Sequence, residues 1–187
     1  MKELSLNILD ISENSISAKA SLVQIVLVET KETLAISIID DGMGMSEEFL
    51  KSVSDPFRTT RSTRKVGMGI PLFKLAAEQT GGSLSISSKS VEQYPEEHGT
   101  TITATFNKLH IDFTPLGDIV STILILVQGN PETDFLFRHT LPDGDPVEMD
   151  TREIRAVLGE DVPLNSFEVL EWIKDSLLEQ YGSNKAN

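Results

Sequence analysis

Hydrophobic and polar positions repeat with two different periods along this chain, and the switches between them mark its elements. Residues 3–19 repeat at helical spacing, with Leu4, Ile8, Ile11 and Ser15 on one stripe and Leu6 and Leu9 widening it. Residues 22–29 read as a strand. After a short polar connection, Leu34, Ile36 and Ile38 alternate with Ala35 and Ser37, predicting an antiparallel return over 34–39. Ser46 is placed as the N-cap of a short helix. Residues 53–68 have no clean period and predict a long loop of the kind that becomes a lid. A helix follows to about Thr80, with Leu72, Leu75, Ala76 and Gln79 as its stripe and Phe73 alongside, and Gly81-Gly82 ends it. Residues 83–88 and 100–106 alternate again, and their pairing is expected to close a first domain.

Beyond residue 110 the pattern changes. Residues 115–128 predict a very apolar helix, whose unbroken run from Ile123 to Val127 implies packing on several sides. Residues 134–140 and 146–150 flank Pro142-Asp-Gly-Asp-Pro and predict a hairpin. A short helix over 151–158 and a longer one over 164–180 follow, the latter with Phe167, Leu170, Ile173 and Leu177 on one face. The expected division is residues 1–110 and an acidic C-terminal module of helix, hairpin and two helices, 111–187, packed on or tethered to the first part.

Composition narrows the chemistry. The 187 residues suffice for one substantial domain plus an appendage. The absence of cysteine excludes disulfides, thiolate metal sites and cysteine catalysis. The three histidines are scattered, which argues against a zinc site. His98 and His139 have no motif around them and are expected at surface or strand positions. No apolar run is long enough to span a bilayer, and the start lacks a signal-peptide core, so no membrane contact and a cytoplasmic location are expected. The formal charge of −13 argues against a nucleic-acid surface. That charge is uneven. Residues 1–111 hold 11 Lys/Arg against 14 Asp/Glu, net −3, while residues 112–187 hold 5 against 15, net −10. Arg58, Arg61, Arg64 and Lys65 cluster in the lid-like loop, which suggests either an anionic ligand held locally or a plain solvated loop.

Four short motifs carry candidate chemistry. Asp10 and Asn14, spaced i, i+4, point from one helix face and could hold a hydrated divalent cation or orient a water. Asp40-Asp-Gly-Met-Gly-Met ends a strand: Asp40 can accept a hydrogen bond from an exocyclic amino group, while Gly42 and Gly44 permit close approach. Gly67-Met68-Gly69 precedes a helix and leaves backbone N–H groups free for phosphate oxygens. Gly99-Thr100 opens the last strand. Each alone is ordinary loop or helix-surface chemistry.

In this order, and on these elements, the four motifs resemble the Bergerat-fold ATPases, the superfamily of gyrase, ninety-kilodalton chaperone, mismatch-repair and histidine-kinase ATP-binding domains. The resemblance covers residues 4–107. It implies an α+β fold: a two-layer α/β sandwich with a mixed, mostly antiparallel sheet and helices on one face. It further implies ATP and Mg²⁺ as cofactors. By position, Asn14 would coordinate Mg²⁺ and Asp10, where hydrolysing members usually have glutamate, would be the general base. Asp40 would read adenine over a floor shaped by Gly42 and Gly44, with Thr100 supporting the pocket. Asp55-Pro-Phe-Arg-Thr-Thr-Arg looks like the kinase stretch Pro-Phe-x-Thr-Thr-Lys. That makes Phe57 the lid aromatic, puts Thr60 and Arg61 near the phosphates, and has Gly67, Met68 and Gly69 cradling them. Asp41 has no assigned role beyond shaping the turn.

Histidine kinases carry a helical hairpin with the acceptor histidine before the ATPase domain, and here the first ATPase helix begins almost at Met1. His110-Ile-Asp-Phe-Thr-Pro-Leu echoes the acceptor pattern but lacks its acidic neighbour and follows the domain, so His110 is expected in a linker. The resulting expectation is a Mg-ATP-binding regulatory protein. It would act as a slow ATPase or as a trans-acting kinase of a protein partner, as the anti-sigma-factor kinases of the superfamily do. A non-catalytic, nucleotide-dependent interaction module is the alternative. A homodimer is compatible with the resemblance, though no seam is identified.

Overall fold

A computed structural model describes residues 3–53, 69–159 and 162–184. The elements are α1 (Leu4–Ser17), β1 (Leu22–Glu29), β2 (Thr33–Asp40), α2 (Glu47–Val53), α3 (Gly69–Gln79), β3 (Ser83–Lys89) and β4 (Gly99–Asn107). They continue with α4 (Ile119–Gly129), β5 (Asp134–Thr140), β6 (Val147–Asp150), α5 (Thr151–Leu158) and α6 (Phe167–Ser183). The strands form one six-stranded sheet in the order β3-β4-β2-β1-β5-β6. Every pair is antiparallel except β1 with β5. Alternation along the strands decides which face is covered. Val23, Ile25 and Leu27 of β1 and Leu34, Ile36 and Ile38 of β2 are buried, while their neighbours are half-buried or exposed. Leu4, Ile8 and Ile11 of α1 are fully buried in the same core. This is the expected two-layer α/β sandwich with a mostly antiparallel sheet.

The segment after residue 110 joins that same sheet. Its hairpin is present as β5 and β6, and β5 lies parallel to β1, pairing Leu22 with Asp134 through Val28 with Thr140. The carbonyls of Pro115 and Leu116 accept the N–H groups of Leu4 and Ser5, at 2.9 and 2.8 Å. They satisfy donors at a helix start where Glu3 makes no side-chain cap. A buried polar knot adds a further tie. His139 on β5 contacts the Tyr181 hydroxyl through Nδ1 at 2.8 Å and Glu29 through Nε2 at 3.0 Å, and Lys108 pairs with Glu29 at 2.6 Å. Burial holds the His139 imidazole below its ordinary pKa against the pull of Glu29. The neutral ring that results donates to the carboxylate and accepts from the hydroxyl.

Three helix readings need correction. The apolar helix starts at Ile119 instead of residue 115, because Gly117 has φ +79° and the Asp118 carboxylate caps it, accepting the Ser121 N–H at 2.9 Å. It packs against both α1 and α6. In α3 the buried side chains are Ile70, Phe73 and Ala77, while Leu72 and Leu75 of the predicted stripe are exposed. The Phe73 ring, tilted against Phe106 of β4 with centroids 5.5 Å apart, sets that rotation. The last helix starts at Phe167, and its buried face is Val169, Ile173 and Leu177, with Phe167 turned to solvent. The antiparallel β1–β2 hairpin, the β3–β4 pair and the Ser46 cap (Phe49 N–H to Ser46 Oγ, 3.3 Å) are as expected.

Asp41, just past β2, ties the open end of the β1–β2 pair. Its carboxylate accepts the N–H groups of Ser21 at 2.7 Å and Leu22 at 2.9 Å, and the Ser21 hydroxyl. Partial burial alone would raise its pKa. The Ser21 hydroxyl and the two N–H donors outweigh that and hold the carboxyl below its ordinary value. A depressed carboxylate contributes stability that is present above the ordinary aspartate pKa and lost as pH falls through the folded value. Asp41→Ala is therefore expected to cost roughly 1–2 kcal/mol at pH 7, allowing for solvent screening. The gap should narrow in urea melts taken below about pH 4. Because one sheet spans both parts of the chain, urea unfolding followed by Trp172 fluorescence and by far-UV circular dichroism should give coincident transitions. Phe137→Ala, at a buried β5 position, should lower both together by about 3–5 kcal/mol. Separate midpoints would mean that the two parts unfold independently.

Candidate functional site

Four of the described segments meet at one corner of the sheet: the C-terminal half of α1, the turn after β2, the start of β4 and the N-terminus of α3. The stripe on α1 fixes the first. With Leu4, Ile8 and Ile11 buried, Ser15 faces inward on the next turn and donates its hydroxyl to Asp40 Oδ2 at 2.6 Å. The Gly42 N–H donates to Asp40 Oδ1 at 2.9 Å. Thr100 lies opposite Asp40 in the β2–β4 register. Burial pushes the Asp40 carboxyl above its ordinary pKa, against the opposing hydrogen bonds from Ser15, Gly42 and Thr100. A carboxylate has about four acceptor positions. Asp40 is thus a braced, half-buried acceptor with capacity for a further donor.

The turn that follows is held from several directions. The Met43 N–H donates to the Ala18 carbonyl at 2.8 Å, so the turn rests on the end of α1. His98 Nδ1 lies 2.6 Å from the Gly42 carbonyl oxygen. Gly44 has φ +65°, and a Cβ there would overlap the Lys89 carbonyl, so no other residue suits the position. Ser88 Oγ accepts the Met45 N–H at 2.8 Å, donates to the Gly99 carbonyl at 3.0 Å and lies 2.9 Å from Thr100 Oγ1. The hydroxyls of Ser88 and Thr100 thus join the end of β3 and the start of β4 to the glycine turn.

Asp10 and Asn14 lie one turn apart on the side of α1 that meets α3. Gly69, the first residue of α3, sits against them. A Cβ there would lie 3.2 Å from Asp10 Cβ, 3.8 Å from Asp10 Oδ2 and 4.0 Å from Asn14 Nδ2. A glycine therefore lets the N-terminus of α3 approach an exposed carboxylate and an amide. The first N–H groups of a helix carry partial positive charge, so this end of the site favours an anion. The Asp40 end offers an acceptor to a hydrogen-bond donor.

The structure brings Asp10, Asn14, Asp40, Gly42, Gly44, Gly69 and Thr100 to this corner. Phe57, Thr60, Arg61, Gly67 and Met68 lie outside the described residues, as does the lid-like stretch from 54 to 68. Three residues of the site were not singled out for it from sequence. Ser15 was counted in the apolar stripe, although a hydroxyl among leucines and isoleucines was a signal that the stripe ends at a polar partner. His98 precedes Gly99 directly, yet its contact with Gly42 depends on strand pairing that a local motif does not contain. Ser88 closes β3 and is one of several serines there.

A family model described as histidine kinase-, DNA gyrase B- and HSP90-like ATPase matches residues 1–110. Sensor protein KdpD of Clostridium acetobutylicum is 32% identical over 94 residues, 48% of this chain and 10% of that protein. Sporulation kinase C of Bacillus subtilis is 32% identical over 92 residues, 48% of this chain and 21% of that protein. The chain thus spans about a tenth to a fifth of the curated relatives it matches. Among solved structures, the Aquifex aeolicus MutL ATPase domain complexed with ADP superposes with a TM-score of 0.53 at 13% identity, over 96% of this chain and 70% of the other. The N-terminal domain of a DNA repair protein gives 0.55 at 16% identity, over 86% and 58%. At such identities the likeness is one of fold, and it extends past residue 110 into the sheet-extending hairpin. With the family match covering more than half its length, the chain belongs to the histidine kinase-, DNA gyrase B- and HSP90-like ATPases and carries the ATPase domain of that family.

Proposed function

We propose that this chain binds Mg-ATP at the corner formed by α1, the turn after β2 and the N-terminus of α3. In this reading it is a regulatory ATPase or trans-acting kinase of a signalling partner. The observation that carries the proposal is the Asp40 carboxylate, held at a strand end by Ser15 and Gly42 with the Gly42–Gly44 turn folded beneath it. Asp40 accepts the adenine amino group, and the glycines let the ring lie against the backbone. The phosphates extend toward Gly69 and the positive end of α3. The donor set there suits a hard cation: Asp10 and Asn14 offer oxygens from one helix face. Among the described residues no cluster of three or more His, Cys, Asp or Glu forms a cage of its own. Asn14 would hold Mg²⁺, which supplies charge neutralisation for the phosphates when bound. Asp10 acts as general base, on a water for hydrolysis or on a partner hydroxyl for transfer. The names of the relatives, a sensor protein and a sporulation kinase, support a role in signalling. No helix of the described residues is long and apolar enough to cross a membrane.

Asp40→Asn keeps the size of the side chain and removes the charged acceptor. ATP affinity measured by calorimetry should fall by at least about a hundredfold, which is on the order of 3 kcal/mol. Undiminished affinity would remove Asp40 from the site. Since burial raises the Asp40 carboxyl, wild-type affinity should weaken on acidification from a higher pH than an ordinary aspartate would give. With γ-labelled ATP and Mg²⁺, released phosphate marks an ATPase and label on an added protein marks a kinase. Asp10→Asn should reduce either by about 10²–10⁴ while ATP affinity is kept. Unchanged turnover would exclude Asp10 as the base.

A further inference from the structure

A large cavity lies apart from that corner, at the β6 edge of the sheet. It is a groove of about 760 Å³ between β6, α5 and α6. Its floor is core: Met149, Ile154, Val169 and Ile173 are buried. Its walls are apolar and open. Val157 is 86% exposed and Trp172 is 59% exposed. An exposed tryptophan over an apolar floor is the composition of an interface anchor and not of an ordinary surface.

The rim is acidic. Glu148, Asp150, Glu153 and Glu168 line the groove, and no lysine, arginine or histidine among the described residues does. Arg138 pairs with Glu148 and Arg152 with Asp150; Glu153 feels Arg152 only at longer range, and Glu168 has no ion-pair partner within 4 Å among the described residues. A two-fold contact of groove on groove with a second copy would bring the same carboxylates against themselves, which like-charge repulsion disfavours. Strand addition at β6 is blocked as well. The Glu148 N–H donates to Gln180 Oε1 at 2.8 Å, and the Glu148 carbonyl accepts Gln180 Nε2 at 3.1 Å. Gln180 therefore occupies the edge hydrogen bonds that an incoming strand would need. What remains is an occupant that satisfies its own backbone and presents side chains: a helix.

We infer that this groove docks a basic amphipathic helix of a partner protein. Apolar residues at i, i+3 or i+4 and i+7 fill the channel between α5 and α6, and flanking lysines or arginines meet Glu153 and Glu168. The groove lies wholly after residue 110, so the inference stands apart from nucleotide binding, and its test uses no ATP.

Trp172 is the sole tryptophan and lines the groove, so it reports occupancy directly. The probe is a synthetic helical peptide of leucine, lysine and alanine with leucines at that spacing, titrated into the full chain at low salt. A saturable blue shift of Trp172 emission is expected. The double variant Glu153→Lys/Glu168→Lys, and separately Val157→Asp, should weaken binding at least about tenfold. All three positions are exposed, and far-UV circular dichroism checks that each variant is folded. A peptide with glutamate in place of lysine should leave the emission unchanged. No shift with the lysine peptide, equal binding of the glutamate peptide, or affinity unchanged by the variants would overturn the inference. Self-association at micromolar concentration that Val157→Asp abolishes would overturn it too, since a second copy would then be the occupant.

Discussion

The rotation of α1 on the sheet is the constraint from which the site follows. Leu4, Ile8 and Ile11 are fully buried against β1 and β2, and that burial fixes how the helix lies about its own axis. Ser15, on the same side one turn later, then meets the end of β2, where its hydroxyl finds Asp40. Asp10 and Asn14 are set to the side by the same rotation and meet Gly69. One hydrophobic stripe therefore positions both the braced Asp40 acceptor and the carboxylate–amide pair beside Gly69. The start of the stripe is held in turn by carbonyls from residues 115 and 116, so the later segment helps to place the helix that bears the site.

Much of this was legible in the sequence because it is local. Period-two alternation gave β2, β3 and β4, and the Pro142-Asp-Gly-Asp-Pro turn between its flanks gave the hairpin of β5 and β6. The spacing of Asp10 and Asn14 gave their shared face, and Asp40-x-Gly-x-Gly gave a turn that the structure shows to require a glycine at Gly44. What was not legible depends on the partner surface. In α3 both Leu72 and Phe73 are apolar, and periodicity alone does not say which faces in; the ring of Phe106 decides it. The first residues of the last helix misled for a similar reason. Leu164 is fully buried although it precedes the helix, so an apolar residue there did not mark a helical turn. His98 needs the pairing of β2 with β4 before its contact with Gly42 exists.

The parallel pairing of β1 with β5 was also beyond local pattern. A hairpin read from sequence carries no address, and its residues left open only whether it packs on the first part or is tethered to it. The structure extends the sheet, and the buried contacts of His139 with Glu29 and Tyr181 lock that choice. This explains how two kinds of likeness differ in extent. The family model matches residues 1–110, while the fold similarity to the MutL ATPase domain covers 96% of the chain.

One sheet thus carries two distinct features, the corner by β2 and β4 and the groove by β6. The described helices connect them. α4 packs against α1, which bears Asp10 and Asn14, and against α6, whose Trp172 lines the groove. Contiguity of this kind is not coupling. For occupancy at one end to alter affinity at the other, α4 must have two arrangements that the two ligands prefer differently. α4 is buried on most of its circumference, with Ile119, Ile123, Leu126 and Val127 in the core and only Ile125 strongly exposed among its large apolar residues. A helix so enclosed moves as a unit or not at all, since a core at close packing does not deform gradually. A shift of α1 would therefore reach α6 as displacement of the whole of α4, and a rigid α1 would leave the two ends independent.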